Sequence, residues 1–201
     1  MARYYVLKCM SPIEAEHYWL EVDYPARGKR WNEGVLFSEK DWRDGFHPPL
    51  EPIEVETKFD EEPPPRVYPE YTSQPIPLMS RRLVHALRAA GVDNLQIFAT
   101  KLTNPQGKTP PSDDYYLAVN IVGCVAAADL EKSKFNPEAA EAMIAMDFHS
   151  LSVAESKTRG ALMFRLAENV SALLVHERVM QHVEASGITT LTWYAPEEWA
   201  G

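Results

Sequence analysis

Apolar residues at helical spacing stand out at Leu83, Val84 and Leu87, with Arg81, Arg82 and Arg88 on the other faces. That pattern predicts an amphipathic helix. Ser80 is its N-cap, because a serine hydroxyl takes one of the orphan N–H groups of the first turn. Gly91 ends it, since glycine enters the left-handed cap conformation without steric cost. Leu95, Ile97 and Ala99 then alternate with Asn94, Gln96 and Thr100, the signature of a half-buried strand. The order returns ninety-six residues later: His176 to Gly187 repeats the helix, with Val179, Met180 and Val183 in the places of Leu83, Val84 and Leu87. GVDNLQIFA after the first helix is answered by GITTLTWYA, from Gly187 to Ala195. The recurrence is either an old duplication or one local solution found twice.

Around these units the pattern is mostly strand. Tyr4 to Cys9, rich in aromatic and β-branched residues, opens the chain as a strand. Thr103 to Asp114 is a polar loop. Tyr115 to Ala128 reads as one long strand bent at Gly123. Leu130 to Phe135 and Asn136 to Glu141 are connecting turns, with Asn136–Pro137 a possible helix start. Ala142 to Ala154 and Ala161 to Leu166 are further strands, separated by a charged turn from Glu155 to Gly160. The order gives an α+β fold with a mainly antiparallel sheet and two helix–Gly–strand units.

The segment between the first strand and the first helix differs in kind. Ser11 to Tyr71 holds 15 acidic and 7 basic residues, nearly the whole charge excess of a chain with formal charge −9. Nine of the sixteen prolines lie between Pro48 and Pro77, including Pro63, Pro64 and Pro65 in a row. Proline lacks a donor and fixes φ, so this is neither ordinary helix nor central strand. We divide the chain into a first core strand (1–10), a proline-rich acidic extension wrapping the core (11–73), and an α+β core (74–201). Trp19, Trp31 and Trp42 tuck in, the carboxylates stay outside, and Ile53, Val55 and Lys58 to Phe59 form one short strand. Asp60 to Pro75 reads as ordered or as disordered on composition alone.

Composition narrows the function. With 201 residues and 45% hydrophobic content, the chain builds one domain with its own core. A pI near 5.2 disfavours nucleic acid and anionic membranes as partners and favours a basic one. Cys9 and Cys124 each sit in an apolar run and read as buried thiols of a reduced compartment, with a single disulfide between them as the alternative. MARYYVLKCM has no apolar leader segment, and no apolar run is long enough to span a bilayer, so we expect a cytoplasmic protein.

The search for chemistry returns little. The glycines never cluster into a phosphate loop, and CxxC, HExxH and EF-hand patterns are missing, so no cofactor or metal is expected. His85, His176 and His182 lie on the helices, the last two on opposed sides. Asp147 and His149 share a strand face, and Cys124 with His149 makes the best enzyme hypothesis. Both have ordinary structural readings, as do the paired carboxylates Asp113–Asp114 and Glu197–Glu198.

YYVL at Tyr4 to Leu7, LMSRRLVHAL at Leu78 to Leu87, DYYLAVNIVGCVAAADLEKSKF at Asp114 to Phe135, LMFRLAE at Leu162 to Glu168, and the closing helix with LTWYA together form an ordered set. In order and spacing it resembles the Myxococcus-type immunity family of bacterial polymorphic-toxin systems. The resemblance spans the first strand and about Gln74 to the end. Ser80, Tyr116, Asp129, Ser133, Phe164 and Arg165 stand at the family's recurring positions. His176 departs from it, because the family usually starts that helix with serine.

Beside this, the residues themselves suggest structural work. Ser80 caps, Asp129 and Ser133 close a turn, and Phe164 and Arg165 alternate inward and outward, the arginine pairing with a carboxylate such as Asp129. The resemblance implies an inhibitor, not an enzyme: a cytosolic protein that binds a cognate secreted toxin and needs no cofactor. The acidity adds that the toxin is a nuclease with a basic cleft, which an acidic protein can fill. Glu51, Glu54, Glu56, Asp60, Glu61, Glu62, Tyr68, Glu70 and Tyr71 are the expected contacts. A chaperone or adaptor for a secreted effector, and a small enzyme using Cys124 or His149, are the alternatives.

Overall fold

A computed structural model describes residues 3–8, 18–23, 31–38, 48–59, 68–105, 111–137 and 145–201. Its strands are β1 (Tyr4–Lys8), β2 (Tyr18–Asp23), β3 (Ile53–Phe59), β4 (Tyr71–Thr72), β5 (Leu78–Ser80), β6 (Leu95–Thr103), β7 (Tyr116–Ile121), β8 (Cys124–Val125), β9 (Lys134–Phe135), β10 (Phe148–Ser150), β11 (Met163–Leu166), β12 (Leu173–His176) and β13 (Thr192–Tyr194). The helices are α1 (Arg81–Ala89), the single-turn α2 (Glu155–Thr158) and α3 (Glu177–Ala185), followed by a 3-10 turn at Pro196–Glu198. The fold is α+β. It has a six-stranded sheet in the order β2-β3-β6-β7-β5-β4, a five-stranded sheet in the order β13-β1-β12-β11-β8, and a small β10-β9 ladder.

α1 forms where the pattern placed it. Leu83 N–H donates to Ser80 Oγ at 3.0 Å. Leu83, Val84 and Leu87 are buried, each contributing about 1.5–3 kcal/mol, and Gly91 takes φ 96° at the exit. α3 is built alike, with His176 as N-cap accepting from the Arg178 N–H through Nδ1 at 3.1 Å and Gly187 at φ 79°. The helices pack on each other and share one core with inward residues of both sheets, among them Leu7, Val119, Leu173 and Val175. The outer face of the six-stranded sheet carries a second core around Trp31, Phe37 and Leu102. The outer face of the five-stranded sheet carries a third around Tyr4, Phe148 and Phe164.

The repetition extends well beyond helix, glycine and strand. β5 and β6 both pair antiparallel with β7, which lies between them. In the same way β12 and β13 both pair with β1. β4 flanks β5 as β11 flanks β12. The registers coincide too: Ser80 faces Tyr116 as His176 faces Tyr4, and Phe98 faces Ala118 as Tyr194 faces Val6. Even the loop bonds match. Ser80 N–H donates to Glu70 O and Arg81 N–H to Tyr115 O; His176 N–H donates to Leu162 O and Glu177 N–H to Arg3 O. The central strand comes last in the first unit and first in the chain for the second.

Several expectations change. Trp31 is buried, as expected of the acidic stretch, but in its described part that stretch is a piece of the sheet: β3 runs parallel to β6 and β2 pairs antiparallel with β3. The alternation Leu20–Glu21–Val22 signals that β2, and the tryptophan and acidic content around it masks the signal. Tyr115 to Ala128 is not one bent strand. At Gly123 (φ 123°) the chain leaves the six-stranded sheet, and β8 joins the five-stranded one beside β11. Glu155–Thr158 is a helical turn. Leu173–His176, outside every predicted strand, is a strand buried on both faces at Leu173, Leu174 and Val175. Cys9, Trp42, Asp60, Glu61, Glu62 and Pro63 to Pro65 lie outside the described residues.

Candidate functional site

The face of β3 turned away from the Trp31 core carries Glu54 and Glu56. Along β3, Ile53, Val55 and Thr57 are buried while Glu54 is exposed and Glu56 and Lys58 are half-buried, because period-2 geometry sends alternate side chains to opposite faces. Register places Glu21 directly opposite Glu56, and Asp23 opposite Glu54. Like charges directly opposite on neighbouring strands destabilise a sheet. Lys58 offsets part of this: its Nζ lies 2.9 Å from Glu56 and 3.8 Å from Glu21. The hydrogen bond to Glu56 raises the lysine's pKa above its ordinary value. Glu21, Val22, Glu54, Glu56 and Thr103 line a groove of about 390 Å³. Glu51 is exposed just before β3.

The other expected contacts separate from this surface. Tyr68, Glu70 and Tyr71 are buried, which leaves them out of reach of a docked protein. The Glu70 carboxylate accepts from the Ser80 hydroxyl and from Arg82 Nη2, closing the start of α1. Glu21 was missed because β2 was missed.

Of the family-pattern residues, Ser80, Tyr116, Phe164 and Arg165 are buried and Asp129 and Ser133 are half-buried. Tyr116 is fully buried and donates to Pro69 O at 2.9 Å. Backbone N–H groups of Lys132 and Ser133 donate to Asp129 O, and Ser133 Oγ accepts from Ser152 N–H at 2.9 Å. Phe164 packs edge-on against Tyr4, with ring centroids 5.6 Å apart. Arg165 is not outward: β11 is buried on both faces. Nor does it pair with Asp129, whose carboxylate is held below its ordinary pKa by a 2.7 Å bond from Lys132. Arg165 Nη1 donates to Val170 O at 2.9 Å, beside Tyr71 and Cys124, and burial lowers its pKa.

Cys124 is exposed rather than packed away. Partial burial still pushes its thiol pKa up, against the pull of Arg165, which opposes nucleophilic use. Cys124 sits on β8 of the five-stranded sheet and His149 on β10 of the small ladder, so the hypothetical pair is split between sheets. Asp147 is half-buried and His149 exposed on either side of buried Phe148, where the ladder is irregular. Among the described residues no group of three or more His, Cys, Asp and Glu could hold a metal ion. No described helix is long and apolar enough to cross a membrane.

The comparisons bear on what these surfaces serve. Among proteins of curated function, none matches the sequence. The profile of an immunity protein family, Imm11, matches residues 6–197, from the middle of β1 to the closing 3-10 turn. That span takes in the acidic stretch as well as both repeated units, and on it the chain belongs to the Imm11 family of immunity proteins.

Proposed function

We propose that this protein neutralises a secreted antibacterial nuclease effector in the cytosol by laying the acidic face of β2–β3 over the toxin's cationic substrate cleft. Toxin neutralisation follows from the family; the kind of toxin and the mode of blockade are our reading. The observation that carries it is the opposition of Glu21 to Glu56 across one ladder, with exposed Glu54 beside them. Such an arrangement costs folding stability and yields a concentrated negative potential, useful for steering a basic partner. The protein acts by binding, which requires no catalytic group.

The first experiment is a pull-down from the native bacterium, expected to recover one large secreted protein with a basic C-terminal domain, toxic alone and harmless in the complex. Stopped-flow association then tests the surface. The Glu54→Gln/Glu56→Gln double variant is expected to lower the association rate about tenfold at low ionic strength and to flatten its salt dependence. Neutralising Asp60, Glu61 and Glu62 together tests the adjoining segment in the same way. Unchanged rates in both variants would place the contact elsewhere.

A further inference from the structure

We infer that Cys124 is an oxidation site: hydrogen peroxide converts its thiol to a sulfinate, whose two oxygens the buried guanidinium of Arg165 then holds. The argument is independent of the toxin reading.

Arg165 is only 3% exposed. A guanidinium so deeply buried ordinarily has a carboxylate beside it and an acceptor for each nitrogen, because an unpaired buried charge is costly. Here Nη1 alone is satisfied, donating to Val170 O at 2.9 Å. Nε and Nη2, which together form the side-on fork, are buried with no hydrogen-bond partner. Tyr71 and Cys124 are the groups whose proximity supports the charge, and neither is a carboxylate. The fork therefore lacks the two-oxygen acceptor that guanidinium geometry suits best.

Cys124 is the place where such an acceptor can be built. Both fork nitrogens are shielded from solvent, so an anion in solution has no open route to them. An oxyanion carried on the chain needs none. Register pairs Arg165 directly with Cys124 across the parallel β8–β11 ladder, and paired positions of a ladder send their side chains to the same face. Cys124 is itself exposed, so peroxide reaches its sulfur. Two neighbouring charges act on the thiol: Arg165 favours its anion and Glu168 opposes it, with Arg165 the stronger.

The chemistry runs in two steps. The Cys124 thiol gives up its proton, and sulfur attacks one oxygen of peroxide. The O–O bond breaks, the leaving hydroxide takes the proton to become water, and sulfur has lost two electrons as a sulfenic acid. A second peroxide repeats the oxidation, giving a sulfinate, one further water and one proton. Burial, which raises the thiol pKa, makes the first step slow. The group thus accumulates under lasting peroxide exposure and does not serve as a rapid sensor. Once formed, its oxygens give the Arg165 fork both acceptors and the missing negative charge.

The first test needs no oxidation. Aspartate at this position carries two oxygens one atom from Cβ, as a sulfinate does, and asparagine has the same outline without the charge. Cys124→Asp should melt about 3 °C or more above Cys124→Asn, although aspartate is a poor strand former. In an Arg165→Met background that advantage should vanish. The second test treats a Cys9→Ser chain, whose one thiol is Cys124, with excess hydrogen peroxide. Mass spectrometry should find two added oxygen atoms on Cys124, and the product should melt higher than the same chain before treatment. A Cys9→Ser/Cys124→Ala chain given the same treatment controls for methionine oxidation and should gain nothing. The proposal is overturned if Cys124→Asp melts no higher than Cys124→Asn, if Cys124 takes up no oxygen, or if the sulfinate forms without raising the melting temperature.

Discussion

Glu70 shows how one buried charge organises its surroundings. It is only 4% exposed, a position a carboxylate tolerates when paired and hydrogen-bonded, and Ser80 and Arg82 provide both. Its charge and, more strongly, burial push the Tyr115 phenol up to about 12. Glu70→Leu, which copies the second unit, leaves the Ser80 donor without its acceptor and should cost about 1–3 kcal/mol, read as a lower urea midpoint. The Arg82 contact adds little, since that side chain is more than half exposed. The tyrosine sets a separate pH dependence. A folded-state value near 12, above the ordinary 10, gives stability that is fully present below pH 10 and lost as pH rises through about 12. Tyr115→Phe should remove that alkaline loss, seen as a flatter stability curve above pH 10 beside an otherwise similar protein.

At the scale of elements, the helices and their stops were legible because each signal is local. Ser80, the apolar positions of α1 and Gly91 all lie along one short helix, each within about a turn of the next. The two stopping glycines nevertheless differ in surroundings. A side chain at Gly187 meets nothing within 4 Å, whereas one at Gly91 meets Leu162. Gly187→Ala should therefore cost only the left-handed backbone, about 1–2 kcal/mol. Gly91→Ala should cost more, since φ 96° lies further from the left-handed well, while the 3.4 Å approach to Leu162 Cδ1 is an ordinary contact. Thermal melts of the pair, read as a larger loss for Gly91→Ala, would check the ordering; equal losses would mean that the wider φ carries no added strain. What the sequence hid is non-local. β12 is buried on both faces and so lacks alternation. The switch of sheets at Gly123 is set by a strand forty residues onward. Glu54 and Glu56 could be singled out by charge, but their opposition to Glu21 required the β2–β3 register. Glu70 and Tyr71 shared the same acidic and aromatic stretch, and nothing local marks them as buried.

For the whole molecule, the shared register of two four-stranded units is more than helix, stop and strand need in order to recur, and it is the pattern a duplication leaves. The second unit has one peculiarity: its central strand is β1, at the other end of the chain from β12, α3 and β13. β1 hydrogen-bonds on both edges and buries Tyr4, Val6 and Leu7. Burial of these three side chains at about 1.5–3 kcal/mol each is comparable with the roughly 5–15 kcal/mol that stabilises a whole domain. Removing β1 also leaves β12 and β13 without a ladder between them, and opens the shared helical core at Leu7. A chain starting at residue 10 should therefore lose cooperative unfolding, even though the first unit keeps all its strands. A synthetic peptide of residues 1–9 added in trans should restore it, with saturable recovery of the far-UV spectrum and of the melting transition. Tyr4→Ala/Leu7→Ala in that peptide should abolish the rescue while leaving its backbone hydrogen bonds available. If the shortened chain melts like the intact one, β1 is dispensable and the second unit does not depend on the closure that its register describes.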